Sequence, residues 1–183
     1  MVKAEDWRDI LLVDGYNMIG AWGELKQLSQ ANLEEARDQL LDMLADYQAY
    51  SGRRVVVIFD AYRVPGLGVS YKQREIQVYF TKEKETADEC IERLVRELRH
   101  RRRQIYVATS DLIEQHVIFA QGALRISARE LKLVIAQAKR EVESQIKERA
   151  QKPLKRNPLE DKLSLDVLLK LERMRRGNQE DSK

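Results

Sequence analysis

Four aspartates sit where an α/β protein could use them. Asp14 closes the apolar run Ile10-Leu-Leu-Val13, and Asp60 closes Val55-Val-Val-Ile-Phe59. Asp111 follows Ile105-Tyr-Val-Ala108 after Thr109-Ser110, and Asp88 sits two residues into a helix that Thr86 is placed to cap. Carboxylates gathered at one edge repel one another, which raises some of their pKa values unless a cation neutralises them. Oxygen-only ligation without histidine or thiol selects a hard ion, Mg²⁺ or Mn²⁺. Such an ion suits phosphoryl chemistry: it lowers the pKa of a bound water and stabilises charge on the attacked phosphate. The protein's task is then to align water, phosphorus and leaving oxygen. Taken singly, Asp14 before Gly15 reads as a turn residue and Asp111 as a helix cap paired with Glu114. Asp60 precedes Ala61-Tyr62, which is no turn sequence. The coincidence of all four at one edge favours the metal site.

The elements that must hold these acids follow from periodicity. The runs at 10–13, 55–59, 76–80 and 105–108 are short, and the first two are β-branched with no polar alternation, as in strands buried on both faces. Amphipathic helices lie between them. Asn32-Leu-Glu-Glu35, Thr86-Ala-Asp-Glu89 and Ser127-Ala-Arg-Glu130 have the form of capping boxes. The inward faces read Leu33, Ala36, Leu40, Leu44, Tyr47; then Ile91, Leu94, Val95, Leu98; then Leu131, Val134, Ala138, Val142. A shorter helix is expected from Ser110-Asp111 to about Ala120. Strand–helix alternation implies a mostly parallel sheet with helices on both faces. Right-handed crossovers put all strand carboxyl ends on one edge, the edge of the acids. Asp88, in a first helical turn, also faces the positive end of the helix dipole. Lys152-Pro-Leu-Lys-Arg-Asn-Pro158 should break the long third helix, and Leu163–Arg176 forms a last one, stopped by Gly177. The expected division is a lead at 1–9, a main domain at 10–150, and a linker plus C-terminal helix at 151–183.

Composition narrows the class. The 183 residues are 43% hydrophobic and 34% charged, enough apolar material for one domain with a real core. Net charge is only +3, so the location of the charges matters more than their sum. The single cysteine, Cys90, excludes an internal disulfide and an all-cysteine metal site, and fits a reducing compartment. No apolar run approaches the roughly 18 residues of a membrane span. The first nine residues are polar, unlike a signal peptide, so the expected location is the cytoplasm. No Gly-rich phosphate loop follows a strand, which removes support for a nucleotide cofactor. His100 and His116 are too few to anchor a triad or metal site, and Trp22 reads as a packing anchor.

These blocks together resemble a known family. Leu-Leu-Val-Asp14-Gly-Tyr-Asn-Met-Ile-Gly20, Val-Ile-Phe-Asp60-Ala, Phe80-Thr-Lys-Glu-Lys-Glu-Thr-Ala-Asp88-Glu, Ala108-Thr-Ser-Asp111 and Gly122-Ala-Leu-Arg-Ile-Ser-Ala-Arg-Glu-Leu131 look like the bacterial YacP-like NYN family, a branch of the PIN-like nucleases. The resemblance runs from about Ile10 to Arg176. It implies a PIN-like three-layer α/β/α sandwich with a C-terminal helical extension. It further implies a ribosome-associated, metal-dependent endoribonuclease that cuts mRNA; attack by a metal-activated water would be expected to leave a 3′-hydroxyl and a 5′-phosphate. The acidic set maps onto Asp14, Asp60, Asp88 and Asp111. Asn17 matches the motif's asparagine, which would orient a metal-bound water or a phosphate. Ser110 matches the small hydroxyl residue beside the last acid.

RNA must be drawn past an acidic pocket by basic surroundings. The candidates are Arg63, Lys72 and Arg74 after Asp60, and Lys82 and Lys84 before the Asp88 helix, with Tyr16, Tyr62 and Tyr71 as stacking faces. Val64-Pro-Gly-Leu-Gly68 marks the loop after Asp60 as turn-rich. Arg99-His-Arg-Arg-Arg103 is denser but belongs at a helix C-terminus, on the opposite edge from the acids. Residues 147–156, with Arg173, Arg175 and Arg176, form another basic stretch. Two other readings compete: a non-catalytic RNA- or ribosome-binding module on a nuclease-like scaffold, and a phosphohydrolase or receiver-like domain. The complete acidic set weighs against the first. The lack of a second acid beside Asp14 weighs against the second.

Overall fold

The computed structural model describes residues 7–60, 70–82, 85–110, 122–151 and 165–175. Its elements are β1 (Ile10–Asp14), α1 (Gly15–Ala21), α2 (Gly23–Ala31), α3 (Leu33–Ser51), β2 (Arg54–Phe59), β3 (Ser70–Gln73), β4 (Ile76–Phe80), α4 (Ala87–Leu98), β5 (Ile105–Ala108), β6 (Leu124–Ile126), α5 (Ala128–Gln151) and α6 (Leu165–Arg175). The strands form one sheet in the order β3-β4-β2-β1-β5-β6. All neighbours are parallel except the edge pair β3 and β4, which are antiparallel. The chain runs from β1 outward to β2 and β4, then crosses back to β5 on the other flank of β1. The sequence direction therefore reverses between β1 and β5, the position at which open sheets form a crevice at their carboxyl edge.

Strand alternation sorts the core into two layers. Leu11, Val13, Val55, Val57 and Phe59 pack with α1, α2, α3 and the start of α5. Ile10, Leu12, Val56 and Ile58 pack with α4 through Ile91, Leu94, Val95 and Leu98. Both faces of β1 and β2 are thus dry, which is why neither strand alternates polar with apolar. Each fully buried aliphatic side chain contributes on the order of 1.5–3 kcal/mol, and β1 with its helices supplies many. The molecule is the three-layer α/β/α arrangement with a mostly parallel sheet.

The helix starts obey the capping logic. The Asn32 side chain accepts from Glu34 N at 3.1 Å and Glu35 N at 3.2 Å. Thr86 and Glu89 exchange both bonds of a capping box, as do Ser127 and Glu130. Gly52 ends α3 with φ +70, a left-handed C-cap that glycine adopts without steric cost.

Several details differ from the sequence reading. In α5 the buried stripe is Ala128, Leu131, Ile135 and Ala138, while Val134 and Val142 are exposed. Continuous 3.6-residue periodicity selects Ile135, one residue beyond Val134. α1, α2, β3 and β6 were not expected as separate elements. The helix expected between Ser110 and Ala120 falls almost wholly outside the described residues, as do Val64–Gly68, His116 and the 152–158 break. The last helix is described over Leu165–Arg175, and the ends expected for it at 163 and 176 lie outside the described residues. The chain divides into two compact units, Met1–Val142 and Glu143–Lys183; the second holds the last turns of α5 and all of α6. Among the described residues no helix is long and apolar enough to cross a membrane.

Candidate active site at the carboxyl edge

Asp14 is the last residue of β1 and the N-cap of α1, where its Oδ1 accepts from Asn17 N at 3.0 Å. It is 8% exposed. Even-numbered residues of β1 and β2 face α4, so the register aims both Asp14 and Asp60 towards the layer whose first turn carries Asp88. The electrostatics agree. Burial foremost, with the charges of Asp88 and Asp60 adding to it and the backbone amides of Asn17 and Tyr16 opposing, pushes the Asp14 carboxyl up to about 6. Three of the expected acids therefore share one neighbourhood. Asp111 lies outside the described residues.

Glycine at position 15 is a packing requirement. A Cβ there would run into the Phe59 ring. Phe59 in turn contacts Tyr16 edge-on, with centroids 5.0 Å apart, and stacks on Phe80 at 5.6 Å. This aromatic bed sits under the Asp14 turn and holds the ends of β1, β2 and β4 together. Asn17 ties the turn across the crevice: its Oδ1 accepts from Ser110 N at 3.1 Å. That bond engages the amide oxygen of Asn17 and not its amide nitrogen. Trp22 is 2% exposed and donates from Nε1 to Ala128 O at 2.9 Å, fixing the start of α5 beside the crevice. It is the packing anchor the sequence suggested.

The donor set fits a hard cation. It is all oxygen, negatively charged, and contains a carboxyl that is costly to ionise without an opposing charge. Among the described residues no three His, Cys, Asp or Glu side chains already form a ligand cage. Charges influence one another over about 10 Å, well beyond ligation distance, so mutual repulsion and the lack of a closed cage are compatible.

The basic candidates separate. Lys82 is exposed just beyond β4, and its backbone N–H donates to Glu85 Oε2 at 3.2 Å. It lies on the carboxyl edge with the acids. Lys72 is in β3, paired in register with Gln77 rather than in a loop. Arg74 is in the tight turn before β4, with φ +50, and pairs with Asp42 of α3. Because β4 runs parallel to β2, this turn is at the amino edge, away from Asp14, so Arg74 does not join the site. Arg63, Lys84 and Tyr62 lie outside the described residues, and so does the side chain of Tyr71. Thr86 serves α4 as its cap.

Three cations went unnoticed in the sequence. Arg37, in the second turn of α3, lies over the Phe80 ring at 5.8 Å. Arg129 and Lys132, in the first turns of α5, line a cleft of about 400 Å³ with Ala21, Trp22, Ser110, Ala128 and Leu133. The available signal was positional. A crossover helix that follows a parallel strand starts at the carboxyl edge, so its early cations belong there. Cys90, 1% exposed, is pushed by burial up to about 11 and is an inert packing thiol.

Comparison with known proteins agrees with this architecture. The sequence model of the YacP-like NYN domain matches residues 11–176. The chain is 48% identical over 171 residues to "Uncharacterized protein YacP" of Bacillus subtilis (strain 168), covering 93% of this chain and 98% of that protein. It also resembles the crystal structure of Rae1 (YacP) from Bacillus subtilis, with TM-score 0.70 and 48% identity, over 93% of this chain and 96% of that one. A crystal structure of a mutant of the same protein gives TM-score 0.71 and 49% identity, over 80% and 86% of the two chains. The chain is a member of the YacP-like NYN domain family, within the PIN-like nuclease group.

Proposed function

We propose that this protein is a divalent-metal-dependent endoribonuclease that cuts mRNA in association with the translating ribosome, in the cytoplasm. The observation that carries the reading is the buried Asp14 beside Asp60 and Asp88 at the sheet's switch point. A binding module gains nothing from a carboxyl that repels its own neighbours and the RNA. A nuclease gains a cation. Mg²⁺ or Mn²⁺ would supply charge neutralisation on the phosphate and an activated water.

The chain's own residues have separable tasks. Asp14, Asp60 and Asp88, with Asp111, are the oxygen donors for the ion. The Asn17 amide nitrogen would donate to a phosphate oxygen, while its Oδ1, accepting from Ser110 N, holds the β5 end against α1. The Thr86 cap fixes the first turn of α4 and so the approach of Asp88. Lys82, Arg129 and Lys132 offset the negative edge and receive the flanking phosphates. The mRNA and ribosome assignment comes from the family resemblance; the carboxyl-edge chemistry itself specifies only a phosphodiester.

The test is cleavage by purified protein of RNA, free and ribosome-bound, with Mg²⁺ or Mn²⁺. Asp14→Asn and Asp88→Asn should each lower the rate at least a hundredfold with the fold intact. Cleavage at the wild-type rate by folded Asp88→Asn would remove the reading. RNA or ribosome binding without cleavage in any condition would favour the non-catalytic module.

A further inference from the structure

A second polar cleft lies at the other end of the sheet. It encloses about 690 Å³ and is lined by Arg99, His100, Arg101, Arg103, Gln104, Ile105 and Gly122. Arg99, His100 and Arg101 are exposed, and the adjacent Arg102 is exposed as well. Arg103 has a structural task, donating from Nη1 to Leu98 O at 3.2 Å. Among the described residues no carboxylate forms an ion pair with Arg99, Arg101 or Arg102. The acid nearest in the hydrogen-bond network, Asp9, accepts instead from the backbone of Gln104 at 3.0 Å. Trp7 is 49% exposed, and its ring lies 4.3 Å from that of His100, tilted by 51°. An aromatic face beside unpaired guanidinium groups is the composition that grips single-stranded nucleic acid, by stacking bases and neutralising phosphates. Gly122 closes the lining with φ +78, a backbone conformation that glycine adopts without strain.

We propose that the Arg99–Arg101 cleft with Trp7 is a second RNA-binding surface, which takes a single-stranded segment remote from the cut. The choice of RNA as occupant rests on the nuclease reading above. A five-residue parallel strand spans about 17 Å, and the cleft and the acids lie at opposite ends of β1 and β5. The cleft therefore acts on affinity and leaves the chemical step alone.

The experiment uses the full chain in EDTA, where a fluorescent unstructured RNA of about 20 nucleotides is bound without cleavage, at several salt concentrations. Arg99→Ala/Arg101→Ala should weaken binding about tenfold. It should also reduce the slope of log K against log salt by about 1.4, since each phosphate contact on a single strand carries about 0.7. Arg99→Glu/Arg101→Glu should weaken binding further. RNA should quench the fluorescence of Trp7, and Trp7→Phe should abolish that signal, because the other tryptophan, Trp22, is buried. With Mg²⁺ and saturating RNA both arginine variants should retain wild-type kcat. Unchanged affinity and slope in folded variants of an enzyme that still cuts RNA would overturn the cleft and leave the nuclease reading standing. A wild type that neither binds nor cuts RNA would overturn both. Variants that lose polyglutamate binding but keep RNA binding would assign the cleft to an acidic protein and overturn the proposal.

Discussion

Asp14 bears opposing demands. Folding removes it from water and sets it beside Asp60 and Asp88, which pushes its carboxyl up to about 6. An unfolded aspartate titrates near 3.9. Between these values the folded chain holds the proton that the unfolded chain has released, so metal-free stability falls as pH rises from about 4 to about 6. Two pH units correspond to about 3 kcal/mol. Asp14→Asn keeps a good N-cap for α1 and removes the buried charge. In EDTA at pH 7 it should be more stable than wild type by about 1–3 kcal/mol, with the pH dependence across that window flattened; denaturant unfolding from pH 4 to 7 reads this. An equal or lower stability at pH 7 would show that burial does not penalise this carboxylate. The same proton competes with metal. Calorimetric Mn²⁺ affinity should climb up to about tenfold per pH unit below pH 6 and level off above it. Gly15→Ala drives a methyl into the Phe59 ring; overpacking of that kind costs about 1–3 kcal/mol, visible as a lowered melting midpoint with a shifted Tyr16 environment.

At the level of elements, the acids are positioned by a strand register and one helix cap. Thr86→Ala removes the hydroxyl that accepts from Glu89 N at 3.2 Å. Loss of such a cap costs about 1 kcal/mol and loosens the turn that carries Asp88. Metal affinity should fall severalfold while stability changes only modestly, and Thr86→Ser should restore both; isothermal titration beside thermal melting separates the two effects. The elements that sequence patterns reveal are those whose physics is local. β1, β2, β4 and β5 are continuous apolar runs, and α3, α4 and α5 carry capping boxes with apolar stripes. β6 has three residues, Leu124-Arg-Ile126, and β3 reads Ser-Tyr-Lys-Gln, so neither has enough alternation to be recognised. Their strand character comes from pairing with β5 and β4, which is tertiary. α1 escaped notice because Asp14-Gly-Tyr-Asn17 also spells a turn, and only the Asp14 cap bond and the contacts of Met18 and Ile19 with the core make it helical.

Across the whole molecule, the sheet separates two charged regions by its length: acids on the carboxyl edge, exposed arginines on the amino edge. The placement of three of the four expected acids was legible because parallel strands put their carboxyl ends together whatever the details of packing, and Asp111 lies outside the described residues. Asp14, Asp60 and Asp88 come together as that rule requires. Arg74 does not, because a hairpin reversal through the edge strand β3 carries it to the far end, and sequence distance from Asp60 hides that reversal. Arg37, Arg129 and Lys132 were hidden for the converse reason, since helices distant in sequence begin beside the same crevice. The central claim is that the carboxyl edge is a metal-dependent nuclease centre. It is tested most directly by following a translated mRNA with Mg²⁺ or Mn²⁺, with and without ribosomes, for wild type and for Asp88→Asn shown to be folded. The account predicts cleavage by wild type alone, abolished by EDTA and enhanced by ribosomes. Equal cleavage by Asp88→Asn, or none by either protein while both bind the ribosome, would contradict it.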